Sequence, residues 1–289
     1  MKYCPQCKIT YQTSFSQCPA CQFKPKTIDG FESYVCDLDS TRSGFQSSHF
    51  SKLAALEDEN FWFRSRNELI IWALEKFCPA FQSLLEIGCG TGFVLSGINS
   101  RFKDKSLYGS EIFTEGLSFA AERVSSAKLM HMDARQIPFL EEFDVVGLFD
   151  VLEHIKEDTI VLDEIFGALK QGGHLLLTVP QHDWLWSPTD DYACHERRYS
   201  ATDLHTKLRA ANFTILRSTS FVSLLLPAML LSRSKRSKSD QTGDSSAELN
   251  LPKALNILLY KIMQTEIALI KAKVDFPLGG SRLVIAKKA

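Results

Sequence analysis

The chain lacks a charge bias: across its 289 residues, 33 Lys and Arg face 34 Asp and Glu, a formal net charge of -1. Without a broad basic field, tight binding to a long nucleic acid is not expected, although a local patch stays open; small or uncharged substrates fit better. It also lacks a long hydrophobic run. The longest strongly apolar stretch, FVSLLLPAMLL from Phe221, is about half of what a membrane span needs. MKYCPQCK at the start holds no apolar signal core, so a cytoplasmic location is expected. Both common phosphate signatures are missing as well. LLEIGCGTGF, Leu84 to Phe93, has the layout of a nucleotide loop, yet its glycines fall at 88, 90 and 92 with Phe93 where a dinucleotide fingerprint wants glycine, and no Gly-Lys-Ser/Thr ending follows. A carboxylate at Glu86 would repel a phosphate, so the loop should serve a ligand that carries positive charge.

Eight cysteines are present, and in a reducing compartment they read as thiols or metal ligands rather than disulfides. Cys4-Pro-Gln-Cys7 and Cys18-Pro-Ala-Cys21 form paired knuckles that can close a tetrahedral structural zinc site, and they resemble a small zinc ribbon. Redox-active or idle thiols are the alternative. Cys36, Cys78, Cys89 and Cys194 are scattered and read as small buried or tolerated residues.

The predicted organisation has five parts: a ribbon over residues 1–27, a linker and N-terminal helices over 28–80, a core over 81–220, a helical insert over 221–280 and a final strand over 281–289. Lys24 to Ser48 is polar and turn-rich and is expected to hold little structure; 232–248 is expected to be a mobile loop. Ribbon and core are expected to have separate hydrophobic cores. Between Leu84 and Ser218, apolar strand candidates alternate with helical stretches, which predicts an α/β, doubly wound, mostly parallel sheet. SRLVIAKK from Ser281 should return as an antiparallel seventh strand beside the strand starting at Phe213.

Ligands of such a sheet sit at the carboxyl ends of its strands, where Glu86, Glu111, Asp133 and Asp150 follow one another. Carboxylates in that series suit a ligand with an amino group, a sulfonium, ribose hydroxyls and an adenine amine, which is S-adenosylmethionine. The ordered motifs LLEIGCGTGF, GSEIF, MDARQIPF, FDVVGLFDVLEHI and LKQGGHLLLTVP resemble those of class I S-adenosylmethionine-dependent methyltransferases, with their Rossmann-like fold. That resemblance implies that Glu86 and Gly88, Cys89, Gly90 and Gly92 line the methionine part, Glu111 takes the ribose hydroxyls, Ile112 and Ala134 flank the adenine, and Asp133 accepts its amine. Asp150 joins this set.

NFWFRSRNELI, WLWSPTDDYACHERRYS and FPLGGSRLVIAKK are similar to bacterial methyltransferases met with polysaccharide and lipid-linked sugar synthesis, and more distantly to quinone O-methyltransferases. This implies Trp62 and Arg66 as residues closing the pocket, Arg66 holding the methionine carboxylate, with plain helix packing as the alternative. The fourth strand lacks the Asp/Asn-Pro-Pro-aromatic motif, which argues against adenine or glutamine N-methylation.

An alcohol acceptor needs a base. His195, beside Asp190, Arg197, Arg198 and Tyr199, is the first choice and His154 the second, each with a structural role as the alternative. Asp150, Glu153 and His154 could hold a divalent ion, or merely cap a helix. The expected partner is a small-molecule, glycan or lipid-linked acceptor. Peripheral membrane contact through residues 221–272, with Arg233, Lys235, Arg236 and Lys238 near headgroups, competes with a reading as core helices and a solvated loop. RNA or protein methylation, with the ribbon as reader, and a cofactor-binding adaptor without turnover stay open.

Overall fold

The structure, a computed structural model, describes residues 1–12, 14–36, 49–235 and 251–289, with the side chains of 232–235 left aside. Two short pieces, β1 (Lys2–Tyr3) and β2 (Thr10–Tyr11), form an N-terminal hairpin around the cysteines. A second hairpin follows, β3 (Lys26–Ile28) and β4 (Phe31–Ser33), then helices α1 (His49–Leu56) and α2 (Phe61–Phe77). The alternating part runs β5 (Ser83–Ile87), α3 (Phe93–Arg101), β6 (Ser106–Glu111), α4 (Thr114–Arg123), β7 (Lys128–His131), β8 (Phe143–Phe149), α5 (Asp158–Ala168) and β9 (Leu169–Pro180). Short α6 (Pro188–Tyr192), α7 (Ala201–Ala210), β10 (Phe213–Phe221), α8 (Leu226–Lys235), α9 (Lys253–Lys271) and β11 (Ser281–Lys288) complete it.

The main sheet has the order β10-β11-β9-β8-β5-β6-β7-β4-β3. Strands β5 to β9 are mutually parallel, and β11 runs antiparallel between β9 and β10, as expected. Seven strands were expected and nine are present. The extra two come from the stretch expected to hold little structure: Lys26–Ile28 and Phe31–Ser33 turn at Asp29-Gly30 and add β4 to the edge of β7. Period-two signals are weak in three-residue strands, and that is why polarity misled. Residues 37–48 lie outside the described residues. So does most of the expected loop, 236–248, while its first four residues continue the backbone of α8.

Alternation along each strand fills two cores. Leu85 and Val146 face α5 and α7, joined by Val161, Leu162, Ile165, Leu204 and Leu208, while their neighbours Leu84 and Val145 face α2, α3 and α9. The second face buries Leu69, Ile70, Leu74, Met263, Ile267 and Ile270, each contributing about 1.5 to 3 kcal/mol relative to exposure. The inner side of α9 is therefore core. Helix α2 starts where the Asn60 side chain accepts the Trp62 N–H at 2.9 Å and stops before Pro79, which disfavours a helical residue ahead of it. The ribbon does not stand apart from this body. Phe23 packs on both the cysteine cluster and the main core, Tyr3 N–H donates to Pro138 O at 3.0 Å, and Leu140 N–H to Met1 O at 2.8 Å.

Candidate functional site

The order in which strands are added across the sheet reverses between β5 and β8, because β6 and β7 are laid down on one side of β5 and β8 and β9 on the other. A cleft opens at such a switch point. Here it is a cavity of about 870 Å3, lined by the ends of β5, β6 and β8 and by residues from α1, α2 and the segment 186–196.

The strand-end wall is built from backbone. Gly88 has φ +66, and a Cβ there would lie 2.5 Å from a Val151 methyl, so only glycine lets the loop pass. Glu111, at the end of β6, accepts three N–H groups: Gly90 at 3.0 Å, Ile112 at 2.8 Å and Phe113 at 3.2 Å. One carboxylate thus joins the glycine loop to the next strand. Burial still raises its pKa against those three bonds. Glu86 is 3% exposed, its Oε2 has no partner, and burial pushes it up to about 8 despite nearby Arg66. Cys89, Ile112 and Ala134 line the cavity too. Asp133 lines it while accepting the Arg135 backbone N–H at 2.8 Å and its guanidinium at 2.7 Å. Gly92, between Thr91 and Phe93 of the same loop, is not among the residues that line the cavity. A Cβ there would come within 2.8 Å of Ala120 Cα, so this glycine allows α3 to pack on α4.

Arg66 and Asp150 meet as an ion pair on the cavity wall, and Asp150 also accepts the Thr178 hydroxyl at 2.9 Å. The Arg66 guanidinium lies 4.4 Å from the centre of the Trp62 ring. Arg66 is therefore already paired with the carboxylate that follows β8 and sits over an indole ring.

The opposite wall is built from side chains. Asp190 does not reach the cavity. It is 1% exposed, stands behind His195 and accepts from His195 Nδ1 at 2.9 Å, Arg198 Nε at 2.7 Å and the Ser187 N–H at 2.8 Å. Burial alone would raise Asp190, but the bonds from His195 and Arg198 overcome it and hold it well below the usual carboxylate range. An ionised Asp190 only accepts, so His195 Nδ1 carries a proton and, in the neutral ring, Nε2 holds the lone pair. Nε2 lies 4.0 Å from Glu153. Glu153 is fully buried with neither oxygen hydrogen-bonded, and burial, then Asp150, raises its pKa well above the ordinary value. His154 packs edge-on to His195 with ring centres 4.7 Å apart; burial, then His195, lowers it to about 4, so it is neutral at pH 7. The expected ion site is redrawn here. Asp150 is turned to Arg66, and it is His195 that joins Glu153 and His154, with ligand atoms within 4.8 Å of one another.

Two further features close the cavity. His49 of α1 stacks on Tyr192 of α6 at 4.2 Å, and Glu57, Thr91 and Arg123 form a network that ties the end of α1 to the glycine loop, with Glu57 to Thr91 at 2.6 Å. Sequence reasoning missed Thr178, Glu57 and the His49–Tyr192 pair, since contacts across 28, 34 and 143 positions leave no local pattern.

At the other end of the chain, the sulfurs of Cys4 and Cys21 lie 3.5 Å apart, as do those of Cys7 and Cys18, with all four within 4.8 Å. Tetrahedral zinc thiolates require sulfurs about 3.8 Å apart, so the set fits such an ion. The cavity fits S-adenosylmethionine on its own terms. Buried Glu86 has an unpartnered oxygen that an amino group would satisfy, and Glu111 keeps acceptor capacity beside a backbone cradle that only glycine permits.

Residues 85–177 match the family described as methyltransferase domain. The chain is 27% identical over 170 residues to a probable S-adenosylmethionine-dependent methyltransferase of Mycolicibacterium smegmatis, covering 56% of this chain and 63% of that protein. It is 30% identical over 139 residues to the mitochondrial ubiquinone biosynthesis O-methyltransferase of Candida albicans, covering 43% of this chain and 40% of that protein. Phosphoethanolamine N-methyltransferase 2 of Haemonchus contortus, solved with S-adenosyl-L-methionine, shares the fold with a TM-score of 0.57 at 19% identity, over 88% of this chain and 60% of that one. The chain thus spans 40% and 63% of the lengths of these two curated relatives. Over residues 85–177 it is thus similar to S-adenosylmethionine-dependent methyltransferases.

Proposed function

We propose that this chain transfers a methyl group from S-adenosylmethionine to an oxygen of a small-molecule, glycan or lipid-linked acceptor. One observation carries the reading: a single cavity joins buried Glu86 and Glu111 on one wall to a His195 oriented by Asp190 on the other. When bound, S-adenosylmethionine supplies a methyl group on a positively charged sulfur. Glu86 faces its amino end, Glu111 takes the ribose hydroxyls, Ile112 and Ala134 flank the adenine, and Asp133 accepts the adenine amine. Arg66, braced by Asp150 and Trp62, holds the carboxylate. His195 Nε2 takes the acceptor hydroxyl's proton, with Asp190 fixing the tautomer. His154, neutral at pH 7, shapes the acceptor side.

Two observations favour a small or lipid-linked acceptor over RNA or protein. The residues lining the cavity begin at His49, so the ribbon contributes none. Among the described residues no helix is long and apolar enough to cross a membrane, but the outer side of α9 exposes Leu255, Ile257 and Leu258 near Lys253 and Lys261, which suits contact with a lipid surface. A structural zinc on Cys4, Cys7, Cys18 and Cys21 belongs to the same proposal.

Cell extract incubated with methyl-labelled cofactor and the enzyme should place label in a lipid, glycan or small-molecule fraction. His195→Ala should lower that turnover by about a hundredfold to ten-thousandfold with affinity for S-adenosylhomocysteine near wild type. Label in RNA or protein would overturn the acceptor class, and unchanged turnover would remove His195 from the chemistry.

A further inference from the structure

The described residues among the first 36 contribute nothing to the cavity lining, yet they are fastened to its strand-end wall at three points. Ser33 of β4 lies opposite His131 of β7 in the parallel register, and its hydroxyl is 2.8 Å from His131 Nδ1. Nε2 of the same ring is 3.0 Å from the carbonyl of Ile112. A carbonyl only accepts, so Nε2 carries the proton and Nδ1 receives the Ser33 hydroxyl. His131 is 2% exposed, and burial lowers its pKa, which favours the neutral ring that this bond pattern requires. Ile112 in turn donates its N–H to Glu111. The second point is Phe31 of the same hairpin, which packs on Cys89, Leu117 and Ala120 at the base of the glycine loop. The third is Asp29, which accepts the Thr114 hydroxyl at 2.6 Å at the start of α4.

The hairpin is held from the other side by the cysteines. Cys18 N–H donates to Phe23 O at 2.8 Å, and the Phe23 ring sits on the cysteine cluster and on the main core, three residues before β3. A four-cysteine unit this small has almost no apolar core of its own: Tyr11 is the one buried large side chain in its cluster.

We propose that the cysteine unit braces the cofactor wall, with Phe31, Ser33 and His131 as positioning residues, so that metal at the four cysteines and ligand at Glu111 stabilise each other. The proposal rests on the cofactor reading given above. Because such coupling is reciprocal, each partner should tighten the other by the same factor.

The test uses the full chain and S-adenosylhomocysteine as probe. The zinc-stripped protein should bind it about five- to a hundredfold more weakly than the zinc-loaded one, and the probe should slow zinc transfer to a colorimetric chelator. Stripping can loosen the whole chain, so three zinc-loaded variants with metal content verified carry the decision independently. Ser33→Ala and His131→Leu should each weaken probe binding by about three- to tenfold, while His131→Gln, which keeps a donor toward Ile112, should restore most of it. Equal losses in the Leu and Gln variants, or wild-type affinity in all three, would overturn the proposal and leave the cofactor site standing. A zinc-loaded wild-type chain that does not bind the probe would overturn the cofactor reading beneath it.

Discussion

The two walls of the cavity are made by different means. At the strand ends, Glu111 gathers three backbone N–H groups and Gly88 admits a neighbour that no side chain would allow, so the wall is fixed by the sheet itself. Across from it, Glu153 and His154 come from a turn after β8 and His195 from the segment after α6, where the Asp190 bond behind it fixes His195 and His154 packs edge-on against it. The contrast teaches where each property resides. The strand-end wall can keep one ligand through wide sequence change, because backbone geometry is insensitive to most substitutions. The other wall can be retuned by single residues, as suits the side proposed to meet the acceptor.

Damage to the side-chain wall should appear in turnover, and damage to the backbone wall in affinity. After the loss at His195, the next largest effect is expected for Asp190→Asn. It removes the charge that sets the His195 tautomer, so turnover should fall on the order of a hundredfold while S-adenosylhomocysteine affinity holds; a loss in affinity instead would mean that the walls are not separate. Glu111→Ala should weaken the same ligand by at least about tenfold, from lost hydrogen bonds at a charged acceptor worth about 1.5 to 3 kcal/mol each, and calorimetry reads this directly.

Glu86 sharpens the comparison through pH. A carboxyl at about 8 is mostly protonated at pH 7, and the ligand's ammonium group should drive its ionisation on binding. Affinity should therefore rise by up to about tenfold per pH unit from pH 6 toward 8, then level off, with about one proton released per ligand bound at pH 7. Calorimetry in buffers of different ionisation enthalpy counts that proton, and Glu86→Gln should abolish its release. The smallest effect belongs to Thr178→Val, which removes one of the bonds orienting Asp150 and should weaken binding about fivefold; no change would show that Arg66 alone positions that carboxylate.

The same contrast explains what was legible in the sequence. Strand-end residues sit at positions the apolar runs announce, so Glu86, Glu111, Asp133 and Asp150 can be placed from the order of residues alone, and so can the antiparallel β11. His195 and Asp190 are legible as a cluster because they are five residues apart, but their order, one facing the cavity and the other buried behind it, is not. Asp133 and Asp150 are legible as strand-end carboxylates, but their arginine partners, Arg135 two residues on and Arg66 eighty-four residues back, are not. The hairpin of β3 and β4 escapes notice because its strands are three residues long and gain their stability from β7, an edge nearly a hundred residues away.

The central claim is that the strand-end wall selects an adenosyl ligand that bears an ammonium group. It is tested most directly by calorimetry of the zinc-loaded chain with S-adenosylhomocysteine and, separately, with NAD. Micromolar-range binding of the first that Glu111→Ala weakens, with no binding of the second, is the predicted result. Binding of NAD without binding of S-adenosylhomocysteine would contradict it.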